Sequence, residues 1–269
     1  MSIKLMALDV DGTLTDEEGR ISPENASAVR AALAAGIKVI LATGRPLQGV
    51  ESICQELGMS GPLILANGSL ILSGTEVWFE DFLSSNDLQA VYEHGEKTGN
   101  ISMLAFQPDI IQYWFPADMD KDWLSNILDS FKLYKRFDVP LPGDLPLERV
   151  NKVMYLGDEQ SIAKALLNTW PEKISHLATG RSYPYLGEVN TTVANKGGAL
   201  SIVCERLGIS PDEVMAIGDG ETDLPMLDFA GNAVFVNRGF TIPQLSAHAV
   251  VVPKEECNRG IAWAADHYL

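Results

Sequence analysis

The chain has 269 residues, of which 46% are hydrophobic, enough to bury a sizeable core and to exclude global disorder. Its formal net charge of −16 argues against a protein that binds nucleic acid, because such proteins need clustered cations to meet the phosphate backbone. The excess of carboxylates instead favours a site for a divalent cation.

The cysteine and histidine content points to a reduced compartment and gives no sign of a metal site built from these residues. Cys54, Cys204 and Cys257 lie far apart, and no C-x-x-C pair occurs. The four histidines lack the spacing of metal ligands, so we expect none of them to bind a metal. The start of the chain lacks the extended apolar region of a signal peptide, and no segment has the length of a transmembrane helix. We therefore expect a cytoplasmic protein with no membrane partner.

The first eighty residues alternate between strand and helix patterns. Ser22 and Pro23 have the character of an N-cap and a first helical residue, and Gly36 and Gly58 mark helix ends. The pattern predicts strands over residues 3–10, 37–42 and 63–66, with helices over residues 23–36 and before Gly58. Repeated β-α-β order predicts a parallel, doubly wound sheet.

The pattern changes near Ser84. Four of the five tryptophans and six of the seven tyrosines lie between Trp78 and Tyr185, which sets this stretch apart from both of its flanks. Short strands are predicted over residues 103–106, 112–115 and 152–156, together with helices over residues 85–99, 121–131 and 161–170. We interpret residues 84–188 as a separate α+β domain inserted into the first one.

The α/β pattern returns at Lys196. Helices are predicted over residues 196–207 and 261–268, and strands over residues 214–217, 233–236 and 249–252. Segments 1–83 and 189–269 are therefore expected to form one α/β domain, a Rossmann-like doubly wound parallel sheet.

Residues able to do chemistry cluster at the predicted strand ends. Asp9 and Asp11 stand two residues apart where the first strand ends, and Gly12 lets an anion approach the backbone N–H groups. The carboxyl ends of parallel strands share one edge of the sheet, so groups that follow other strands can converge on this pair. Carboxylates with one hydroxyl and one lysine suit a magnesium ion that carries a phosphate. The candidate groups are Asp9, Asp11, Thr43, Gly44, Lys196, Asp219 and Asp223.

Simpler explanations exist for single members of this set. Asp11-Gly12 and Thr43-Gly44 could each be an ordinary turn, and Asp219 and Asp223 could be acids at a helix start. Lys196 is harder to explain in this way, because a cation at a helix N-terminus opposes the helix dipole.

Taken together, the motifs resemble the haloacid dehalogenase-like (HAD) phosphatase superfamily, and within it the Cof-type, sugar-phosphatase-like proteins with a C2-type (IIB) cap. The resemblance covers both outer segments of the chain and implies that the inserted domain is the cap. It rests on the order and spacing of DVDGTL at 9–14, ATGR at 42–45, ANG at 66–68, NKG at 195–197 and GDGETDLPM at 218–226.

The resemblance implies a division of labour among the acids. Asp9 would be the nucleophile that forms an aspartyl-phosphate, and Asp11 would protonate the leaving oxygen and then activate water. Mg²⁺ would be held by the side chains of Asp9 and Asp219 and by the backbone carbonyl of Asp11. Asp223 would steady the water molecules on the metal.

The same resemblance implies a phosphate-binding set. Thr43, with backbone N–H groups near Gly12 and Gly44, would hold the phosphate oxygens. Lys196 would neutralise charge between the nucleophile and the phosphate, and Asn67 would orient this group.

Two features depart from the family pattern. Thr222 stands where the family often has asparagine, and Val193-Ala194 stand where it often has a glycine before the lysine. Asn237 matches, to within one residue, a family asparagine that follows the penultimate strand. Cap residues expected to contact substrate are Arg181, Tyr183 and Tyr185; a basic group of Lys132, Lys135 and Arg136 is interpreted as a solvated face.

The leading hypothesis is a Mg²⁺-dependent phosphatase of a small phosphorylated metabolite, such as a sugar phosphate, acting as a monomer or homodimer. A sugar phosphomutase would use the same aspartyl-phosphate but pass the phosphoryl group to a hydroxyl. A non-catalytic phosphate-binding or receiver-like protein would need neither Asp11 nor a large cap.

Overall fold

A computed structural model describes residues 2–108, 111–114, 116, 136–137, 148–239 and 245–269. Two compact units divide the chain: residues 1–45, 50–79 and 194–269 form the first, and residues 46–49 and 80–193 form the second. The predicted helix over residues 121–131 and two residues of the basic group, Lys132 and Lys135, lie outside the described part.

The first unit is an α/β fold around an eight-stranded, mostly parallel sheet, as predicted from the repeated β-α-β order. The strands follow the spatial order β14-β13-β12-β1-β2-β3-β4-β5. They are β1 (Leu5–Leu8), β2 (Lys38–Ala42), β3 (Leu63–Leu65), β4 (Leu70–Ser73), β5 (Glu76–Glu80), β12 (Val214–Gly218), β13 (Asn232–Val236) and β14 (Val250–Val252).

Strand β1 lies at the centre of this sheet, with parallel neighbours on both sides. Leu5 pairs with Val214 of β12 and with Lys38 of β2, and all four residues of β1 are buried. A strand covered on both faces is a continuous apolar run, which is the pattern of the sequence here. The carboxyl ends of β1, β2 and β12 consequently lie side by side.

Local signals define the helices of the first unit. Ser22 caps α1 by accepting the N–H of Asn25, and Gly58 ends α2 in the left-handed conformation that glycine adopts without strain. The helices are α1 (Pro23–Ala34), α2 (Glu51–Leu57), α5 (Lys196–Leu207), α6 (Leu224–Phe229) and α7 (Gly260–Tyr268).

The edge of the first sheet differs from the sequence prediction. Strand β4 pairs antiparallel with β3, and β5 lies next to β4 at the sheet edge, whereas the sequence analysis assigned no strands between residues 67 and 83. The missed signal was a turn at Gly74, which has a φ of 60°, between two short apolar runs.

The second unit is an α+β fold with a six-stranded sheet in the order β10-β11-β9-β6-β7-β8. Its strands are β6 (Ile101–Phe106), β7 (Ile111–Trp114), β8 (Arg136–Phe137), β9 (Lys152–Gly157), β10 (Leu177–Tyr183) and β11 (Leu186–Thr191). The helices of this unit include α3 (Ser85–Thr98) and α4 (Glu159–Ala163), and a π-helical turn over Lys164–Asn168 extends α4. Both helices contribute apolar side chains to one core, which alternate residues of the strands complete.

Helix α4 begins two residues earlier than predicted. Asp158 is its N-cap and accepts the N–H of Ser161, so Ser161 lies inside the first turn. No helix within the described ranges is both long enough and apolar enough to cross a membrane.

Candidate active site

A buried lysine joins two acids that come from opposite ends of the sequence. Lys196, the first residue of α5, places its Nζ 2.6 Å from Oδ1 of Asp9 and 2.5 Å from Oδ1 of Asp223. All three side chains are buried. Asp9 directly follows β1. Asn195 caps α5 by accepting the N–H of Gly198, which fixes the start of the helix and so the position of Lys196. Lys196 and Asp9 are therefore brought together as the sequence motifs suggested.

Asp223 is held in place by the loop that follows β12. Its Oδ2 accepts the backbone N–H of Asp219 at 3.0 Å and of Gly220 at 2.9 Å. A Cβ on Gly218 would collide with the Asp223 carboxyl, so only glycine at position 218 lets this carboxyl pack against the backbone of the loop. Asp223 thus stabilises the loop through these two hydrogen bonds and fixes the position of Asp219.

Asp219 faces the loop that follows Asp9. Thr13 donates its hydroxyl to Oδ1 of Asp219 at 2.7 Å. Gly12 has a φ of 86°, and a Cβ there would overlap the Asp219 carboxylate. A side chain at position 12 would therefore be both strained and in collision, which explains glycine at this point of the motif.

Arg238 is a residue of this site that the sequence analysis did not select. Its guanidinium donates to the backbone carbonyls of Gly12 and Thr15 and to the side chain of Asn258, and its Nε lies 4.0 Å from Oδ2 of Asp219. The contacts with Gly12 and Thr15 join residues more than two hundred positions apart along the chain, and no local spacing in the sequence indicates them. The available signal was an arginine two residues after a buried strand, next to Asn237.

The crowded charges shift the pKa values of the cluster. Burial, followed by the negative charge of Asp223, raises the pKa of Asp9 well above its usual value, although Lys196 opposes this. Burial and the charge of Asp223 also raise the pKa of Asp219 to about 6, against the pull of Thr13 and Arg238. Burial alone would lower the pKa of Lys196, but the charges of Asp223 and Asp9 outweigh it and raise that pKa.

The donor set fits a divalent cation. Asp9, Asp219 and Asp223 each offer a carboxylate oxygen, and these oxygens all lie within 4.8 Å of one another. Oxygen ligands of this kind are those that Mg²⁺ prefers. Burial, followed by the negative charge of Asp223, raises the pKa values of Asp9 and Asp219, and a bound cation would stabilise their charged forms. Within the ranges that the structure covers, this is the one group of three such residues found.

The loops after β2 and β3 bring the predicted phosphate-binding residues next to each other. Thr43 is buried, and its backbone carbonyl accepts the N–H of Asn67 at 2.9 Å. Asn67 has a left-handed φ of 59°. Gly68 packs so closely on the backbone of Asn195 that a Cβ would overlap it. The ends of β2 and β3 and the start of α5 are thus in contact near Lys196.

Asp11 does not join the three acids of the buried cluster. Its half-exposed carboxylate is held by Arg45, whose Nε lies 2.9 Å from Oδ2 and whose terminal nitrogen lies 2.5 Å from Oδ1. Arg45 was quoted in the sequence motif but given no role. A fork-to-fork pair of this kind is among the stronger ion pairs of proteins.

The proposed cap residues lie in the second unit. Arg181 is exposed on β10, and Tyr185 is 39% exposed at the turn before β11. The side chain of Tyr183 is outside the described part of the structure, as is that of Arg136.

The family model for haloacid dehalogenase-like hydrolases matches residues 6–264, so the chain belongs to this family. A solved haloacid dehalogenase-like hydrolase from Bacteroides thetaiotaomicron superposes with a TM-score of 0.83 at 26% identity, with all of both chains covered. A HAD subclass IIB sugar phosphatase has the same fold, with a TM-score of 0.81 at 23% identity and 98% of each chain covered.

Among named relatives, the 5-amino-6-(5-phospho-D-ribitylamino)uracil phosphatase YcsE of Bacillus subtilis is 29% identical over 280 residues. The alignment covers 100% of this chain and 97% of YcsE. Together with the family match, this similarity makes the protein a HAD-family phosphatase.

Proposed function

We propose that the protein is a Mg²⁺-dependent phosphomonoesterase that works through an aspartyl-phosphate on Asp9. The observation that carries this proposal is the contact of Asp9 with Lys196 inside a buried cluster that also contains Asp219 and Asp223. A carboxylate in that position is next to the positive charge that a phosphate ester needs on approach. Asp11, two residues further on, supplies the second carboxyl that acid–base catalysis needs.

The proposed reaction has two steps, formation and hydrolysis of the aspartyl-phosphate. In the first, a carboxylate oxygen of Asp9 attacks phosphorus, the bond from phosphorus to the ester oxygen breaks, and Asp11 gives its proton to the departing alcohol. In the second, water attacks the phosphorus of the aspartyl-phosphate, Asp11 takes a proton from that water, and Asp9 leaves as a carboxylate.

Lys196, Thr43 and the loop amides hold the phosphate through both steps. The Lys196 ammonium offsets the negative charge of the phosphoryl oxygens, and Thr43 with backbone N–H groups near Gly12 and Gly44 binds them. Asn67 keeps the Thr43 segment in place through its backbone. Mg²⁺, held by Asp9, Asp219 and the Asp11 carbonyl with Asp223 steadying its water, would supply further neutralisation of the phosphate charge.

For the substrate we propose a small phosphorylated polyol or sugar. YcsE is named for a phosphorylated ribityl compound and the subclass IIB neighbour for sugar phosphates, which supports this class. Residues 84–188, including Arg181, Tyr183 and Tyr185, would select the organic part, because the cluster in the first unit deals with the phosphate alone. Three unpaired cysteines support a cytoplasmic location.

The test is a screen of phosphorylated metabolites with Mg²⁺, scored by phosphate release. Wild-type protein should release phosphate from sugar or polyol phosphates, and Asp9→Asn should reduce release to the background rate. Asp212→Asn, at an exposed acid of the same unit, is the matched control and should keep full activity. Release that survives in Asp9→Asn would contradict the proposal.

A further inference from the structure

The ion pair between Arg45 and Asp11 conflicts with the proposed work of Asp11. Both carboxylate oxygens of Asp11 are engaged by the guanidinium, at 2.9 Å and 2.5 Å. A carboxylate held in this way is directed at Arg45, and it must leave the pair before it can reach the oxygen of a leaving group. The catalytic cycle therefore needs an event that opens this pair.

Arg45 lies in the segment to which the phosphate is proposed to bind, so phosphate binding can open the pair. Arg45 directly follows Thr43 and Gly44, and its backbone is fixed on both sides. Its N–H donates to the Thr43 hydroxyl at 3.2 Å, and its carbonyl accepts the N–H of Ala66 at 3.1 Å. The guanidinium is thus rooted in the segment to which the phosphate is proposed to bind.

The two partners of this pair are unequally buried. The Arg45 side chain is 19% exposed, whereas that of Asp11 is 50% exposed. Asp11 can therefore move into water with little change in its solvation, while Arg45 stays in place. Lys196 differs, because its side chain is 2% exposed and those of its two partners, Asp9 and Asp223, are also buried, at 8% and 2%.

We propose that Arg45 is a phosphate-binding residue that exchanges Asp11 for the substrate. This inference rests on the proposed function. The same planar fork that fits a carboxylate also fits two phosphate oxygens, and a phosphate dianion carries more charge than Asp11. Arrival of the phosphate transfers the guanidinium to the phosphoryl oxygens and frees Asp11 for proton transfer. Substrate binding and release of the acid–base group are thereby one event.

The experiment measures the affinity for inorganic phosphate in the presence of Mg²⁺, by calorimetry and by competitive inhibition. Arg45→Gln should weaken phosphate binding by about 10- to 100-fold, as expected for the loss of a charged hydrogen-bond partner. Arg45→Lys keeps the charge without the fork and should recover only part of the loss. Arg206→Gln removes an arginine that pairs with Glu76 elsewhere in the unit and should leave the affinity unchanged.

A double-mutant cycle separates exchange from simple attraction. Asp11→Asn removes the competitor for Arg45, so it should tighten phosphate binding severalfold in the wild-type background. In the Arg45→Gln background the same change should tighten binding much less, because no guanidinium remains to be released. Thermal denaturation of each variant verifies that it is folded.

Two results would overturn the exchange. One is an unchanged phosphate affinity in folded Arg45→Gln protein, and the other is equal tightening by Asp11→Asn in both backgrounds. Either result in a wild-type protein that releases phosphate contradicts the exchange alone. A wild-type protein that neither releases phosphate from any substrate nor binds it contradicts the proposed function as well.

Discussion

Lys196 Nζ lies 2.6 Å from Oδ1 of Asp9, although the two residues are 187 positions apart in the sequence. Asp9 follows the central strand of the first sheet, and Lys196 begins a helix in the returning segment. The fold therefore places the buried ammonium of Lys196 between two acids. The second acid is Asp223, whose Oδ1 lies 2.5 Å from the same Nζ.

Replacing Lys196 should affect stability and activity together. Lys196→Met leaves Asp9 and Asp223 buried beside each other without a cation, and breaking a buried ion pair costs about 3–5 kcal/mol. We expect a lower thermal midpoint in metal-free protein, partial recovery when Mg²⁺ is added, and a loss of kcat of at least about 100-fold. The control is Lys4→Met, at an exposed pair with Glu213, which should change neither quantity. An unchanged midpoint in Lys196→Met would contradict the role of the lysine as counter-charge.

Asp11 should matter for turnover and not for folding. Its carboxylate is half exposed and makes its ion pair near the surface, so Asp11→Asn should keep the thermal midpoint within a few degrees. Loss of a positioned acid–base group costs about 100- to 10,000-fold in rate, which kcat on a sugar phosphate measures. Asp16→Asn, in an exposed turn of the same loop, is the comparison variant. Full activity in Asp11→Asn would remove Asp11 from the mechanism.

The pKa of Asp219 predicts how metal binding depends on pH. Its folded value of about 6 exceeds the value of about 4 for an unfolded chain, because burial and Asp223 disfavour the charged form. The stability that this group contributes is therefore complete below pH 4 and is lost as the pH rises through 6 in metal-free protein. Mg²⁺ binds the charged form, so the rise in thermal midpoint on adding Mg²⁺ should be larger at pH 7.5 than at pH 5.

The variant Asp219→Asn provides the check on that dependence. It should show a smaller Mg²⁺-induced shift with a weaker pH dependence than the wild type, and the remaining dependence comes from Asp9, whose pKa is also raised. A large shift that persists in Asp219→Asn with the wild-type pH dependence would show that another group titrates.

Arg238 should support the loop that follows Asp9. Arg238→Met removes the donor to the carbonyls of Gly12 and Thr15 in a partly buried position, and an unsatisfied buried acceptor costs about 1–3 kcal/mol. We expect a lower thermal midpoint and a lower kcat, because the loop also carries Asp11. Arg30→Met, at an exposed arginine that contacts the carbonyl of Glu56, is the control and should be neutral. Wild-type kcat in Arg238→Met would separate this residue from the site.

The sequence predicted the elements whose signals are local. The buried strands are continuous apolar runs, and Ser22 and Gly58 mark helix boundaries through caps that each involve a few neighbouring residues. The resemblance to a known family named the acids and the lysine in advance, and the structure brings Asp9, Lys196, Asp219 and Asp223 into one cluster.

What the sequence did not predict depends on contacts between distant segments. Arg238 donates to the backbone carbonyl of Gly12, near the other end of the chain. The guanidinium of Arg45 donates to the carboxylate of Asp11, thirty-four positions away. Neither contact has a periodicity or spacing of its own. Strands β4 and β5 are different, because a local signal for them was present: the turn at Gly74 between two short apolar runs.

The most direct test of the account is to trap the phosphoryl group on the protein during turnover. Wild-type protein is mixed with a ³²P-labelled sugar phosphate and Mg²⁺, quenched in acid within milliseconds, and digested for peptide mapping. The account predicts acid-stable label on the peptide that contains Asp9, and no label there in Asp9→Asn. Label on a different peptide, or phosphate release by Asp9→Asn at the wild-type rate, would contradict it.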